Sequence, residues 1–475
     1  MWKHTILAVA LAALCVAGAP AADAWTSLIT DDDLQQWDSA GSASIVAKSG
    51  TLTVEGAGQI VYAGETPLDL KDFELQAEVK TSPGGRAGIA FHMTPGNARS
   101  HGGIEVRLDN SFSVPAGQSP LKTGSLVWLR PVVRSVAADG AWFPLQITVR
   151  GKRVQVRVDG QLVNDYVEPA NWESAPRFKS GTIGIRGHGG SGGVQIRKLQ
   201  VRALPAGPAA DKLKMDATDL RLSKLREQGF PVIDYHTHLK GGLTLDGVLA
   251  RTWRSGIGAG VAVNGGKGFP ITDDKAALAA LATLRTKPVY AGLQAEGREW
   301  TTLFSPATIA RFDYVLTDAM TLTDHRGKRA RLWIKDEVDV PDPEAFMELL
   351  VKTIEKILDE EPIDIYANPT YLPAVIARDY DRLWTPARVT RVVDALARNG
   401  VALEISDSLR LPGPAMIKQA KAKGIKFTFG SNNTDAKIGR LDYGLRMIEE
   451  CALTPEDLWA PKPDGKKPIQ VRAKK

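Results

Sequence analysis

The feature that most constrains the fold is a change of rhythm near residue 204. From Trp25 to Ala203 the chain is a series of short segments rich in Val, Ile, Leu and Phe, separated by Gly, Pro, Asn and Asp. Examples are "FELQAEVKT", "AGIAFHM", "GIEVRLD", "LQITVRGKRVQVRVDGQLV" and "VQIRKLQVRAL". Alternation of apolar and polar residues puts one side chain in two on each face of a strand, so this half predicts an all-β, antiparallel jelly-roll sandwich over 25–203. "LPAGPAADKLK" then breaks every periodicity and predicts a linker over 204–224.

Over 225–460 apolar strand candidates alternate with helical patterns. The strands are "PVIDYHTH", "GAGVAVN", "PVYAGLQAE", "DYVLTDAM", "IDIYANP", "VALEIS" and "IKFTFGSN"; between them lie stretches such as "DKAALAALATLRT" and "PEAFMELLVKTIEKILDEE". Strands that alternate with helices form a parallel sheet, and seven of them predict a closed, distorted TIM-like α/β barrel.

The ends of the chain carry different signals. Residues 1–24 have a basic start, an apolar run and small residues at Ala22 and Ala24, which predicts a signal peptide cut before Trp25 and an exported protein, periplasmic or secreted. Cys15 lies in that segment and leaves Cys451 as the sole mature cysteine, so no internal disulfide can form. No later apolar run is long enough to span a membrane. The net charge of +6 rests largely on the tail 461–475, which reads as a basic, solvated end and gives no reason to expect nucleic acid.

Each strand of the second half ends on a polar residue: His236 and His238, Asn264, Glu296, Asp318, Asn368, Glu404, then Ser431, Asn432, Asn433 and Asp435. In a parallel barrel those carboxyl ends share one face, where active sites sit. His236 and His238, two apart on a strand, can present two imidazoles to one cation, and a bound divalent ion would acidify a water. Glu404 is a catalytic candidate, Asn368 a substrate-binding one, and Lys240, just past the histidines, a second catalytic candidate. Each has an ordinary alternative: Glu404 as a buried carboxylate, Asp318 and Asp435 as helix caps, Lys240 as a surface lysine. His325 sits in a charged loop and is set aside.

"DYHTHL" at the first strand, Glu296 at the third, "LEIS" and "GSNNTD" near the last resemble the polymerase and histidinol phosphatase (PHP) superfamily, metal-dependent phosphoesterases on a seven-stranded barrel. The resemblance implies His236, His238 and Glu296 as metal ligands with Asp435 from the final loop. The chain has few of the further histidines that multinuclear sites use. That implies one divalent ion, Zn, Mn or Fe, or a site that has lost its metal and works through Lys240.

The first half is similar to the 3-keto-disaccharide hydrolase domain family, a concanavalin-like jelly roll. The similarity is carried by "WTSLITDDDLQQW", "GRAGIAFHM" with "GGIEVRLDN", "WFPLQITVRGKRVQVRVDGQLVNDY" and "SGTIGIRGHGGSGGVQIRKLQVRAL". The resemblance implies cleavage of glycosides oxidised at the third carbon, or sugar binding alone. A ketone there acidifies the neighbouring C–H, so the chemistry needs a base and a group that stabilises an enolate. Glu105 and His188 are the catalytic candidates. His92 and Asp109 are placed to bind substrate, and Trp128 and Trp142 to stack on sugar. As ordinary alternatives, His92 and Trp142 serve the core and the two carboxylates a solvated strand face.

These observations lead to an exported hydrolase or lyase acting on a small saccharide, probed at one domain or both. The alternatives are a sugar-binding jelly roll fused to a phosphoesterase-like or amidohydrolase-like barrel, and a sugar-binding protein without catalysis.

Overall fold

A computed structural model describes residues 24–30, 34–41, 44–64, 68–99, 102–114, 117–172, 180–206 and 213–472. The signal segment, save Ala24, lies outside the described residues. Thirteen strands build the first domain among the described residues: β1 (Thr26–Ser27), β2 (Trp37–Gly41), β3 (Ser44–Lys48), β4 (Thr51–Glu55), β5 (Ala57–Tyr62), β6 (Phe73–Thr81), β7 (Ala87–Met93), β8 (Ile104–Leu108), β9 (Phe143–Arg150), β10 (Arg153–Val158), β11 (Gln161–Val167), β12 (Thr182–His188) and β13 (Val194–Ala203). They form two antiparallel sheets. One runs β11-β10-β9-β6-β13-β4-β3 with β1 also on β13; the other runs β2-β5-β12-β7-β8. The predicted alternation is realised: Phe73, Leu75 and Val79 of one sheet and Ile89, Phe91, Val106 and Ile185 of the other are fully buried and share one core.

The second domain is a closed parallel barrel of seven strands, β14 (Ile233–Thr237), β15 (Gly258–Gly266), β16 (Tyr290–Glu296), β17 (Tyr314–Thr317), then, after a hairpin of β18 (Thr321–Thr323) and β19 (Arg329–Arg331), β20 (Ile365–Tyr366), β21 (Ala402–Ser406) and β22 (Phe427–Gly430). Its strands are buried on both faces, which is why they read as near-continuous apolar runs.

Two segments differ from the sequence expectation. Part of the predicted linker is helix α1 (Ala217–Glu227), capped by the Asp216 side chain. The tail predicted as a solvated end packs as a strap as far as it is described. Lys467 Nζ donates to the carbonyls of Ala310 (2.6 Å) and Phe312 (2.8 Å), and Arg472 donates to those of Leu358, Glu361 and Asn399. Carbonyls left over where helices end are natural acceptors for basic side chains, a use that charge counting does not reveal.

The domains are joined by the long segment between β8 and β9. Val133, 2% exposed, enters the barrel's interior cluster beside Ile233, Tyr235, Tyr290 and Tyr314, and Phe112 meets Tyr290 edge-on at 6.0 Å. Arg134 Nη1 pairs with Asp313 Oδ1 at 2.5 Å, and Trp253 Nε1, from helix α2 (Leu245–Ser255), donates to the Val163 carbonyl at 3.0 Å. Ile233, Gly258, Tyr290 and Tyr314 begin their strands. The sandwich therefore plugs the amino-terminal mouth and these contacts lie opposite the polar rim. Val133→Asp would bury an unpaired carboxylate in that plug and is expected to cost about 3 kcal/mol or more, read by urea unfolding of the whole chain.

Candidate active site

On the five-stranded sheet, residues two apart share the face turned away from the core. That face collects Glu105 and Arg107 from β8, Arg186 and His188 from β12 and Gln59 from β5. Glu105 Oε1 lies 2.8 Å from His188 Nε2 although β7 runs between their strands. The crossing is possible because Gly88 lies on β7 there: a Cβ at that position would stand 2.4 Å from Glu105 Oε1. Arg107 Nε (3.4 Å) and Arg186 Nη1 (3.4 Å) complete the surroundings of the carboxylate. Arg186 is itself fixed by Gln59 Oε1 (2.9 Å) and the Gly102 carbonyl (2.5 Å).

Burial alone would raise the Glu105 pKa, but the hydrogen bond from His188 and the charges of Arg107, His188 and Arg186 outweigh it and hold the carboxyl below its usual range. His188 remains open to solvent, and its Nδ1 has no hydrogen-bond partner among the described residues. The pair opens on a cleft of about 530 Å³ whose walls include Gln59, Arg99, Trp128 and Arg186. An imidazole oriented by a carboxylate, with a guanidinium at its side, can take a proton from carbon and stabilise the oxygen that becomes negative.

Other predicted sandwich residues lie elsewhere. Trp142 immediately precedes β9 of the opposite sheet, with Arg197 (4.1 Å) and Lys80 (5.2 Å) over its ring, and does not line this cleft. His92 packs edge-on against Phe73 and Phe91 with Nε2 on the Lys71 carbonyl, and burial lowers its pKa first of all. Asp109 accepts from Ser111 and Lys122 and so pins the segment leading to the barrel plug. Trp128 does line the cleft. Arg186, Arg107, Gln59 and Gly88 were not singled out from sequence. The pattern of charges two apart in "GIEVRLD" and "GIRGH" is the signal that points to them.

The barrel rim gathers most of its predicted residues into a buried network. His236 Nδ1 lies 2.6 Å from Glu404 Oε1 and its Nε2 3.2 Å from Gln294 Oε1. Glu404 Oε2 accepts from the Asn368 backbone N–H (2.7 Å), Asn368 Nδ2 donates to Asp318 (2.7 Å), and Asn432 Nδ2 donates to Asn368 Oδ1 (2.8 Å). Asn264 Nδ2 donates to Glu296 at 2.8 Å. His238 Nδ1 bonds the Ala262 carbonyl at 2.8 Å; burial, with the neighbouring charges of His236 and Lys240, keeps that imidazole neutral. Lys240 is exposed in part, and its pKa falls through burial against the opposing pull of Glu296.

This arrangement does not fit the expected metal. Both nitrogens of His236 face acceptors, Nδ1 toward Glu404 and Nε2 toward Gln294, and although burial opposes it, Glu404 raises the His236 pKa. Asp435 is exposed and turned into its own loop, accepting from the Lys437 N–H. Among the described residues no three His, Cys, Asp or Glu side chains are grouped to hold an ion. Glu404 is 1% exposed with both oxygens engaged, so it serves as the counter-charge of His236 rather than as a group that meets substrate. Elemental analysis of the chain from Trp25 is expected to find no stoichiometric transition metal; about one equivalent, lost in His236→Ala, would reverse this conclusion.

Glu296 and Asp318 set a pH dependence. Burial first, then Asp318, raises the Glu296 pKa, and burial raises that of Asp318. The folded chain therefore holds more protons here than the unfolded one. The resulting stability is fully present below ordinary carboxylate pKa values and is lost as pH rises through the raised ones. The melting temperature is expected to fall toward alkaline pH, with a flatter fall in Glu296→Gln.

Residues 24–202 match the family model of the 3-keto-alpha-glucoside-1,2-lyase-like domain. That match ties the sandwich to saccharide chemistry. No curated protein matches the chain. Among solved structures, an inferred glycosyl hydrolase from Parabacteroides distasonis ATCC 8503 shares 19% identity over 38% of this chain and 100% of its own, with a TM-score of 0.33. A histidinol phosphate phosphatase from Lactococcus lactis subsp. lactis Il1403, solved with zinc, L-histidinol and phosphate, shares 14% identity over 46% of this chain and 93% of its own, with a TM-score of 0.36. A carbohydrate binding module from Bacillus subtilis shares 14% over 35% and 96%, with a TM-score of 0.25.

Proposed function

We propose that the chain is an exported enzyme that cleaves glycosides of sugars oxidised at the third carbon, with its chemistry in the sandwich cleft. The observation that carries this reading is the Glu105–His188 pair, 2.8 Å apart beside Arg186 in an open cleft. The family match over 24–202 supports the choice of a keto-sugar.

In this mechanism Glu105 accepts the Nε2–H of His188 and leaves Nδ1 as the base. His188 takes the proton from the carbon between the ketone and the anomeric centre, and Arg186 stabilises the enolate oxygen. Collapse of the enolate forms the double bond to the anomeric carbon and breaks the glycosidic C–O bond. The proton held by His188 passes to the departing oxygen, and water adding across the double bond gives the free keto-sugar. The ionised state of Glu105 at neutral pH suits it to orient the imidazole and to balance its charge once protonated.

The test is to incubate the chain from Trp25 with a 3-keto-glycoside and its unoxidised parent. Release of the aglycone from the keto form alone, slowed by deuterium at the carbon next to the ketone, supports the mechanism. Equal turnover of the parent, or of a phosphate monoester instead, rejects it. Sequencing the amino terminus of secreted protein tests the cut before Trp25.

A further inference from the structure

Trp128 stands at the tip of a tight turn in which the N–H groups of Leu129 and Arg130 both bond the Leu126 carbonyl, at 2.9 and 2.8 Å. The turn is tied to β8 by Val127 N–H on the Glu105 carbonyl, 3.0 Å. The tryptophan is 66% exposed and has a φ of 67°, a left-handed backbone that costs a bulky residue on the order of 1 kcal/mol. An aromatic held out on a strained turn beside Glu105 is placed for contact with a ligand. It also lines a second cavity of about 220 Å³, on which Leu121, Leu126, Leu129 and Pro131 of the same segment converge with Arg130 and, from α1, Arg226.

The two arginines give this cavity its character. Arg130 donates to the carbonyls of Trp253, Leu129 (2.7 Å) and Arg254 (2.8 Å); Arg226 donates to those of Ser255 (3.2 Å) and Gly256 (2.9 Å) and to Ser223 Oγ (3.2 Å). Among the described residues neither forms an ion pair with a carboxylate. Burial, and for Arg226 also the charge of Arg130, lowers their pKa values to about 10 and about 9. Both remain charged at neutral pH. The cavity therefore combines an apolar wall with positive charge most of whose donors are committed within the protein, the buried Arg226 Nε alone having no partner among the described residues. A carboxylate or phosphate would find a single unpaired donor, Arg226 Nε, in an otherwise apolar lining, whereas the electron-rich face of an aromatic ring gains from both wall and charge. At about 220 Å³ the space is smaller than the ~300 to 1,000 Å³ of pockets for larger ligands, and it suits a compact ring.

We propose that this cavity is the leaving-group subsite of the cleft and that the substrates are keto-glycosides of aromatic alcohols, the ring passing over Trp128 into the pocket. The inference rests on the keto-glycoside reading of Glu105 and His188. It adds no step to that chemistry: the phenolic oxygen is the glycosidic oxygen that leaves and takes up the proton.

The test compares phenyl, cyclohexyl and methyl glucosides, unoxidised for calorimetric binding and as 3-keto forms for kcat/KM. It uses the whole chain, Trp128→Ala, and Gln118→Trp, which adds bulk at an exposed residue lining the pocket. Phenyl is expected to exceed methyl by about tenfold in binding and in kcat/KM, and to exceed cyclohexyl. Both ratios should shrink toward one in the two variants, with circular dichroism unchanged. Equal values for phenyl and methyl, or for phenyl and cyclohexyl, overturn the aromatic subsite. Cleavage of keto-glycosides without aryl preference overturns the subsite and leaves the reaction standing. Aryl-selective binding with no cleavage of any keto-glycoside supports an aryl-glycoside site and rejects the reaction.

Discussion

His188→Ala is expected to lower kcat/KM for a 3-keto-glycoside by about a thousandfold, the loss typical when a positioned general base is removed. Most of the change should fall in kcat, because the imidazole acts on a proton in flight while the cleft walls remain. Glu105→Gln keeps the shape but loses the charge that orients the ring and balances it when protonated, so a smaller loss is expected with the pH profile displaced. Gly88→Ala touches neither side chain chemically, yet its Cβ would stand 2.4 Å from Glu105 Oε1 and push the carboxylate away from His188. It should resemble His188→Ala in rate while retaining the fold. Activity of His188→Ala within tenfold of the parent chain, measured on the folded protein, would remove the sandwich cleft as the catalytic site.

Glu404→Ala is expected to destabilise the chain by about 3 to 5 kcal/mol, the cost of breaking a buried charge pair from one side. The carboxylate bridges His236 Nδ1 at 2.6 Å and the Asn368 N–H at 2.7 Å, with 1% exposure, so its removal strands a charge and a donor in the barrel. For a domain of this size that corresponds to a fall in melting temperature on the order of 10 °C. The double variant Glu404→Gln, His236→Gln removes both charges and should lose less than the single change to alanine. Unfolding that is indifferent to Glu404→Ala, with loss of turnover in the folded chain, would make Glu404 a participant in catalysis and return the chemistry to the rim.

The same residues separate what was legible in the sequence from what was not. Alternation with a period of two and the succession of strands and helices are local properties of the chain, and each buries its apolar face in one way. The sandwich, the seven-stranded barrel and the residues at the strand ends therefore follow from the sequence directly. Glu105 and His188 could be nominated because both lie on strands with that alternation. That they meet depends on the strand order β12-β7-β8 and on a glycine in the middle strand, facts that involve residues far apart in the chain.

The rim shows the same division with the opposite result. His236, His238 and Glu296 are the residue types that bind metal, and sequence can say no more than that. Whether a nitrogen has a lone pair to offer is decided by its partner, and His236 finds Glu404 and Gln294 from distant strands. Asp435 is taken by its own loop through a contact two residues away. The basic tail became a strap because leftover carbonyls of separate helices face it. The sequence by itself determined the two folds and the chemical types at their functional edges, since periodicity and residue identity are written along the chain. Only the tertiary structure decided which of those groups pair, which are spent on one another and which stay open to a substrate, because hydrogen bonding and burial are properties of neighbours in space.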